Sequence, residues 1–374
     1  MKNKPQLKIL LACGGSGGHL IPGLVVRDEL VKRGHIVFLS VSDKKIDTDI
    51  LSKNRLEPSL VLKANTSGLP APLRALRVIV HLLQSTLMAR SFIKSQGVDF
   101  VLGMGGFNCA APLFAAASLK IPCALHESNV IPGRATRLLR KSVDVLFVGF
   151  EQCGEHLQDA KDVRLTGTPT RYKRNDIDKK RTPENYRAHG LNPEKNTVLF
   201  MGGSQGSEFL NKILADCASL FAAHRDKIQI IHISGKTQSP LEIHPVDDLG
   251  ITRKHYQFYN EMDALYALAD VVVARSGSGV ISEILELRKK AILIPLPTAA
   301  DNHQWHNARA TESPGVIEML EQKDASSARL VEKILKLLKN DFPPGWKNPA
   351  PSGGPPEAVI ASVIEKISEQ QRKK

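Results

Sequence analysis

Two stretches of this chain follow one plan. "ILLACGGSGGH" (residues 9–19) and "VLFMGGSQGS" (198–207) each run from apolar residues into Gly-Gly-Ser-x-Gly, and a helical pattern follows. An apolar run of that length reads as a buried strand. The glycines read as a turn whose backbone can approach a ligand closely, with a helix beyond it. A chain that does this once in each half builds parallel-sheet units, not a sandwich or a bundle.

The surrounding rhythm agrees. In the first half "KILLACG", "HIVFLSVS", "DFVLGMG", "IPCALHE" and "VDVLFVGF" read as strands, and a helix is predicted over 22–33, with Pro22 near its start and Gly34 at its end. In the second half "TVLFMGG", "IQIIHISG", "HYQFYN", "DVVVARSG" and "AILIPLP" repeat the pattern. Continuous apolar strands alternating with helices imply a parallel sheet covered on both faces. At 374 residues the chain exceeds what one core organises. The expected division is a Rossmann-like domain over 1–172, a charged junction over 173–196, a second Rossmann-like domain over 197–350, and a last helix within 351–374. That helix would carry Val359, Ile360, Val363, Ile364 and Ile367. Open sheets of this kind bind ligands beyond the carboxyl ends of their strands, so two halves facing across a cleft would share one ligand.

Charge narrows the partner. A formal net charge of +13 and a pI near 9.5 favour nucleic acid, a phosphorylated substrate or an acidic membrane surface. A basic nucleic-acid binder would explain the charge but not the paired glycine turns, and no RNP, zinc or helix-turn-helix signature is evident. The five cysteines (Cys13, Cys109, Cys123, Cys153, Cys217) contain no Cys-x-x-Cys pair, so reduced thiols are expected and a zinc site is not. No stretch reaches the roughly 18 apolar residues of a membrane span. "CAAPLFAAASLKIPCAL" is broken by Lys120 and by prolines, and a soluble or peripheral protein is expected. The stretch 69–95 has apolar residues at helical spacing with Arg74, Arg77 and Arg90. It either lies on an anionic bilayer surface or packs against the first sheet.

The common nucleotide fingerprints fail. G-x-G-x-x-G would need glycine where Leu20 stands, and neither loop supplies the lysine of a P-loop. Other glycine turns and polar strand ends remain: "GMGGF" (103–107), "HESN" (126–129), "GTPTR" (167–171), "RSGSGVISE" (275–283) and "DNHQWHNA" (301–308). Glu283 falls on the first turns of a helix, where a carboxylate either answers the helix dipole or accepts both hydroxyls of a ribose.

In this order, the motifs resemble the MurG family over residues 8–308. These enzymes transfer N-acetylglucosamine from UDP-GlcNAc to the undecaprenyl-linked acceptor lipid I, giving lipid II for peptidoglycan. The resemblance implies the α/β GT-B fold: two Rossmann-like domains with parallel sheets facing across a cleft, and a C-terminal helix crossing back to the first domain. It implies an inverting, metal-independent transfer that needs no cofactor, on the anionic cytoplasmic face of the inner membrane. Nucleic acid is not among the implied partners; cell-wall and division enzymes are.

By resemblance, Ser16, Gly17 and Gly18 reach the donor's sugar and diphosphate, Asn129 and Arg171 contact the donor, and Ser204 lies near the diphosphate. Tyr259 falls where a backbone group pairs with uracil. Ser278 and Gly279 precede the ribose-binding Glu283, and Gln304 lies near the transferred sugar. Gly105, Gly106 and Phe107 are expected on the acceptor side. For the proton of the acceptor hydroxyl the candidates are His19 and, second, Glu127; His19 could equally position a phosphate or cap its helix.

Three features depart from the family: Ser207 stands in place of alanine, "LELRKKAILIP" lacks a glycine-proline turn, and "RATESPGVIEML" after Ala308 looks shortened. The rival enzyme readings are a glycolipid glycosyltransferase and a UDP-GlcNAc epimerase.

Overall fold

The computed structural model describes residues 5–63, 71–203, 206–235, 244–344, 346 and 353–373. Ser204, residues 69 and 70, and much of the connector before the last helix lie outside them. The chain divides into two compact units: Met1–Arg171 with Pro351–Lys374, and Tyr172–Ala350.

The first unit is built on β1 (Lys8–Ala12), β2 (Ile36–Ser42), β3 (Leu60–Leu62), β4 (Phe100–Gly103), β5 (Cys123–Glu127), β6 (Val145–Val148) and β7 (Val163–Leu165). These form one parallel seven-stranded sheet in the order β3-β2-β1-β4-β5-β6-β7. Its helices are α1 (Gly17–Lys32), α2 (Lys45–Lys53), α3 (Ala71–Gln96), α4 (Ala110–Ser118) and α5 (Arg134–Leu139).

Strand alternation sends Ile9 and Leu11 into a core under α1, while Leu10 and Ala12 enter a second core with Ala89, Ile93 and Leu113. Both faces of the sheet are therefore covered. α3 packs one face on the first sheet and leaves apolar side chains of another face exposed. Ala89 and Ile93 are buried and Leu82 and Phe92 lean on the core, while Ile79, Val80, Leu83, Leu87 and Met88 are exposed.

The second unit carries α6 (Arg174–Asp178), α7 (Pro183–Ala188), β8 (Asn196–Met201), α8 (Glu208–Asp216), α9 (Ala218–Ala222), β9 (Ile228–Ile233), α10 (His244–Asp248) and β10 (Arg253–Tyr256). There follow α11 (Met262–Leu268), β11 (Val271–Ala274), α12 (Ser278–Glu286), β12 (Lys290–Leu293), α13 (His303–Thr311), β13 (Ile317–Met319) and α14 (Ser327–Lys339). The sheet is parallel and six-stranded, in the order β10-β9-β8-β11-β12-β13.

The last helix, α15 (Pro356–Arg372), belongs to the first unit. Its Ile360, Ala361, Val363 and Ile364 enter the core of Ile9 and Leu11. Arg33, after α1, donates to Ala358 O at 3.0 Å and Ser362 Oγ at 2.9 Å, and His35 Nε2 stands 3.1 Å from Glu365 Oε1.

Four features differ from the sequence reading. β3, β7 and β13 were not expected, because each is three residues long and lies at a sheet edge, where no long apolar run is required. β10 takes Arg253–Tyr256 and keeps only His255 and Tyr256 of "HYQFYN". α1 begins at Gly17, so Pro22 lies inside it; burial of Leu20 and Leu24 outweighs the one hydrogen bond that Pro22 cannot donate. Residues 173–196 hold α6 and α7; Thr182 caps α7 by accepting from Asn185 N, and Arg181 pairs with Asp270 at 2.6 Å.

In each sheet the chain builds outward on one side and then returns. β4 lies beside β1, and β11 beside β8. The crevices over these two pairs are where such sheets take ligands, and the glycine turns sit there.

Candidate active site

In the first unit the turn after β1 needs glycine, with Gly14 at φ 134° and Gly15 at φ 83°. The Gly15 peptide is clasped from the start of α2. Its N–H donates to both Asp47 oxygens, at 3.0 and 2.7 Å, and its carbonyl accepts from Lys44 Nζ at 3.2 Å. Asp47 is fully buried and also accepts from Ser42 N at 3.1 Å and Ser42 Oγ at 2.5 Å. Ser16 then begins α1 with its hydroxyl turned to His19 Nδ1, at 2.9 Å, instead of to a helix amide. With no acidic residue in its first turn, α1 presents an open positive end.

His19 lies against the glycine turn after β4. A Cβ added at Gly105 or at Gly106 would stand 3.0 Å from the imidazole, and both residues have positive φ, 91° and 72°. Phe107 beside them is exposed. Burial lowers the His19 pKa, opposed by the charges of Glu127 and Asp47 and aided by Lys44, so the ring is held toward its neutral, proton-accepting form.

At the end of β5, both Glu127 oxygens are occupied. Oε1 accepts from Asn129 N at 3.0 Å and Asn129 Nδ2 at 3.1 Å; Oε2 accepts from Gly133 N at 2.9 Å and Thr136 Oγ1 at 2.6 Å. This second candidate for the base is buried, and its four bonds tie it to the loop of Asn129. His126 Nε2 stands 2.9 Å from Gly167 O and so joins the β5 exit to the "GTPTR" turn. Arg171 is exposed at the end of the first stretch of this unit.

In the second unit Gly206 has φ 80°, and a Cβ there would meet Ser234 O at 2.4 Å, so this turn packs tightly on the β9 exit. Ser207 caps α8 by accepting from Leu210 N at 3.3 Å, and Glu208 follows in its first turn. The positive end of α8 is thereby answered. That of α12 is open: Gly277 provides no side-chain cap, Ser278 and Gly279 begin the helix, and its first turn holds no acid.

Glu283, one turn further on, accepts from the buried Tyr266 hydroxyl at 2.7 Å. Gln304 bridges two strand exits, its Oε1 accepting from Leu296 N at 3.0 Å and its carbonyl from Ser276 Oγ at 2.8 Å. Arg275 is buried over the Phe209 ring and donates to Ile294 O, Pro295 O, Gln322 Oε1 and Ser207 Oγ. Burial pulls its pKa down to about 10, which leaves it charged at neutral pH. Tyr259 follows β10 with its ring 4.6 Å from that of Tyr256 and 5.6 Å from that of His189.

The structure thus gathers Ser16, His19, Gly105 and Gly106 in one unit, and Ser278, Gly279, Glu283 and Gln304 at neighbouring strand ends in the other. Asp47 and Tyr266 were not anticipated: one lies in a charged helix start and the other in an apolar helix, and neither carries a local signal.

Two Asp-x-Asp tripeptides occur, at 47–49 and 176–178. Asp47 holds the glycine turn, while Asp176 and Asp178 pair with Lys179 and Arg174. Among the described residues no group of three or more His, Cys, Asp or Glu is placed to hold a metal ion.

Residues 9–148 match the glycosyltransferase family 28 N-terminal domain, and residues 197–347 match the family 28 C-terminal domain. The chain is 30% identical to the UDP-N-acetylglucosamine–N-acetylmuramyl-(pentapeptide) pyrophosphoryl-undecaprenol N-acetylglucosamine transferase of Desulforamulus reducens, over 98% of this chain and 100% of the relative. It belongs to the MurG family, within glycosyltransferase family 28.

The Myxococcus xanthus transferase of the same name is also 30% identical, over 89% of this chain and 85% of its own length. Among solved structures, MurG of Acinetobacter baumannii is similar at a TM-score of 0.69 and 21% identity, covering 97% of this chain and 100% of that one. A UDP-GlcNAc 2-epimerase from Neisseria meningitidis reaches 0.66 at 13% identity, over 96% and 100%. These likenesses show the GT-B fold, which MurG-family enzymes share with epimerases. Within that fold the glycine turns after β1, β4, β8 and β11 fall at the switch points of the two sheets.

Proposed function

We propose that the protein transfers N-acetylglucosamine from UDP-N-acetylglucosamine to lipid I, with inversion at the sugar's anomeric carbon, to form lipid II. The observation that carries this reading is the pair of strand, glycine turn and open helix end found at both switch points. In the first unit it leads into His19, and in the second into Glu283.

The chemistry follows from these groups. The leaving diphosphate is already acidic, so the protein's task is to hold its growing charge and to aim the acceptor. Main-chain amides and helix N-termini suit the first task without a metal ion. The acceptor hydroxyl attacks the anomeric carbon, the bond to UDP breaks, and His19 takes the hydroxyl proton as a neutral imidazole.

In this reading Ser16, Gly17, Gly18, Asn129 and Arg171 serve the donor's sugar and phosphates, Ser204 the diphosphate, and Gln304 the sugar. Tyr259 marks the uracil, Ser278, Gly279 and Glu283 bind the nucleoside end, and Gly105, Gly106 and Phe107 serve the acceptor.

The membrane forms part of the same proposal. No helix among the described residues is long and apolar enough to cross a bilayer. The exposed Ile79, Leu83 and Leu87, spaced by one helical turn on a basic chain, fit a helix resting on the anionic cytoplasmic face of the inner membrane. Cell-wall and division enzymes are its proposed neighbours there.

The test is incubation of a short-chain lipid I analogue with radiolabelled UDP-N-acetylglucosamine in the presence of EDTA. The expected result is a lipid carrying one added N-acetylhexosamine. Conversion of the donor to its 2-epimer without acceptor would place the chain with the epimerases instead.

A further inference from the structure

A buried carboxylate is costly unless hydrogen bonds and charge hold its ionised form. Asp47 is fully buried, and its bonds go to the Gly15 amide and to both the amide and the hydroxyl of Ser42. Lys44, beside this clasp, donates to Gly15 O, which lies in the next peptide plane. The fit is close: a Cβ at Gly14 would stand 2.5 Å from Asp47 Oδ2. Gly15 leads directly to Ser16, whose hydroxyl meets the His19 imidazole. A chain of contacts therefore runs from Asp47 through the Gly15 backbone and the Ser16 hydroxyl to the proposed proton acceptor.

We propose that Asp47 is a positioning residue for the reaction, fixing the Gly15 peptide and with it the Ser16–His19 pair at the start of α1. This rests on the reading of His19 given above. The carboxylate does two things at once. It sets the direction of the turn, so that the open end of α1 and the imidazole keep one arrangement. Its charge also favours protonated His19, as does that of Glu127 on β5, while Lys44 disfavours it. His126, also on β5, is itself held neutral by burial, and the Gly105–Gly106 turn brings no charge.

Asp47→Asn is the informative variant, since it keeps the shape, removes the charge and puts an amide where the Gly15 N–H must donate. Three readouts on the full chain separate the possibilities: UDP affinity by calorimetry, the pH profile of kcat/KM with the lipid I analogue, and an NMR titration of the His19 ring. The expected result is a fall in kcat/KM of at least about tenfold that exceeds any loss of UDP affinity, with both the acid limb and the His19 titration moved to lower pH. Ser42→Ala, which removes one donor and leaves the carboxylate, should have the smaller effect on kcat/KM.

Unchanged turnover with an unchanged histidine titration would overturn the proposal. So would a parallel loss of UDP affinity and of cooperative unfolding, which would make Asp47 a general folding residue. If wild type transfers no sugar while Asp47→Asn still shifts the His19 titration, the functional reading fails and the clasp stands.

Discussion

The Tyr266 hydroxyl, buried on α11, donates to Glu283 Oε2 on α12 at 2.7 Å. A carboxylate that must accept two ribose hydroxyls gains from being aimed before the ligand arrives. A full complement of bonds to a charged acceptor is worth about 1.5–3 kcal/mol each, so Glu283→Ala should raise the KM for UDP-N-acetylglucosamine by roughly one to three orders of magnitude. Tyr266→Phe removes the aiming bond together with the hydroxyl's contact to Met201 Sδ and should raise the same KM by about three- to tenfold, with kcat unchanged. Steady-state kinetics on both variants and the double variant decides it: a Tyr266→Phe effect that persists in full without Glu283 would break the connection.

Gly106→Ala places a methyl 3.0 Å from His19 Nδ1 at a φ of 72°. Because it disturbs the imidazole and not the second unit, kcat should fall by about tenfold or more, and UDP affinity should hold. A variant with wild-type kcat would show that the His19–Gly106 contact is not needed for turnover.

Burial lowers the His19 pKa below its ordinary 6.5. The neutral form then predominates at pH 7, and the acid limb of kcat/KM should lie below 6.5. In His19→Gln that limb should vanish along with most of the activity. A limb at or above 6.5 would contradict a neutral base.

Stability carries the same sign. Burial holds His126 and His232 neutral, the latter with a pKa near 3, so the unfolded chain binds protons more readily than the folded one. Their neutral folded forms cost nothing above pH 6.5, and stability should decline as pH falls from there toward the folded values. His232→Gln should flatten this decline in urea midpoints measured between pH 7 and pH 5.

Leu83 and Leu87 are 60% and 67% exposed on α3. Replacing both with aspartate should abolish flotation with anionic vesicles while turnover of a water-soluble acceptor continues. Flotation that is indifferent to the change would remove α3 from the membrane proposal.

The first unit should depend on α15. Ile364 is fully buried among Ile9, Leu11 and Leu20. Ile364→Ala should cost about 2–5 kcal/mol, read as a lower denaturation midpoint for the transition of the first unit.

What could be read from residue order follows a local rule. β1, β4, β8 and β11 are continuous apolar runs with glycine at or shortly after their ends, and such a run can be little else than a buried parallel strand feeding a turn. Two parallel-sheet halves were legible for that reason, whereas the return of the last helix was expected only from the family resemblance. The short edge strands β3, β7 and β13 were not legible, because strands of three residues carry no period long enough to detect.

The chemistry divides along the same line. Sequence by itself determined which side chains stand at strand ends, since strand, turn and helix follow from neighbours along the chain. Only the tertiary structure decided what those side chains do. It closed both Glu127 oxygens with donors from one loop, answered the positive end of α8 while leaving those of α1 and α12 open, and placed Asp47 behind Gly15 and Tyr266 beneath Glu283. The last two depend on how the elements pack, since Asp47 lies 32 residues from Gly15 and Tyr266 17 from Glu283, and partners so far apart in the chain leave no mark on local pattern.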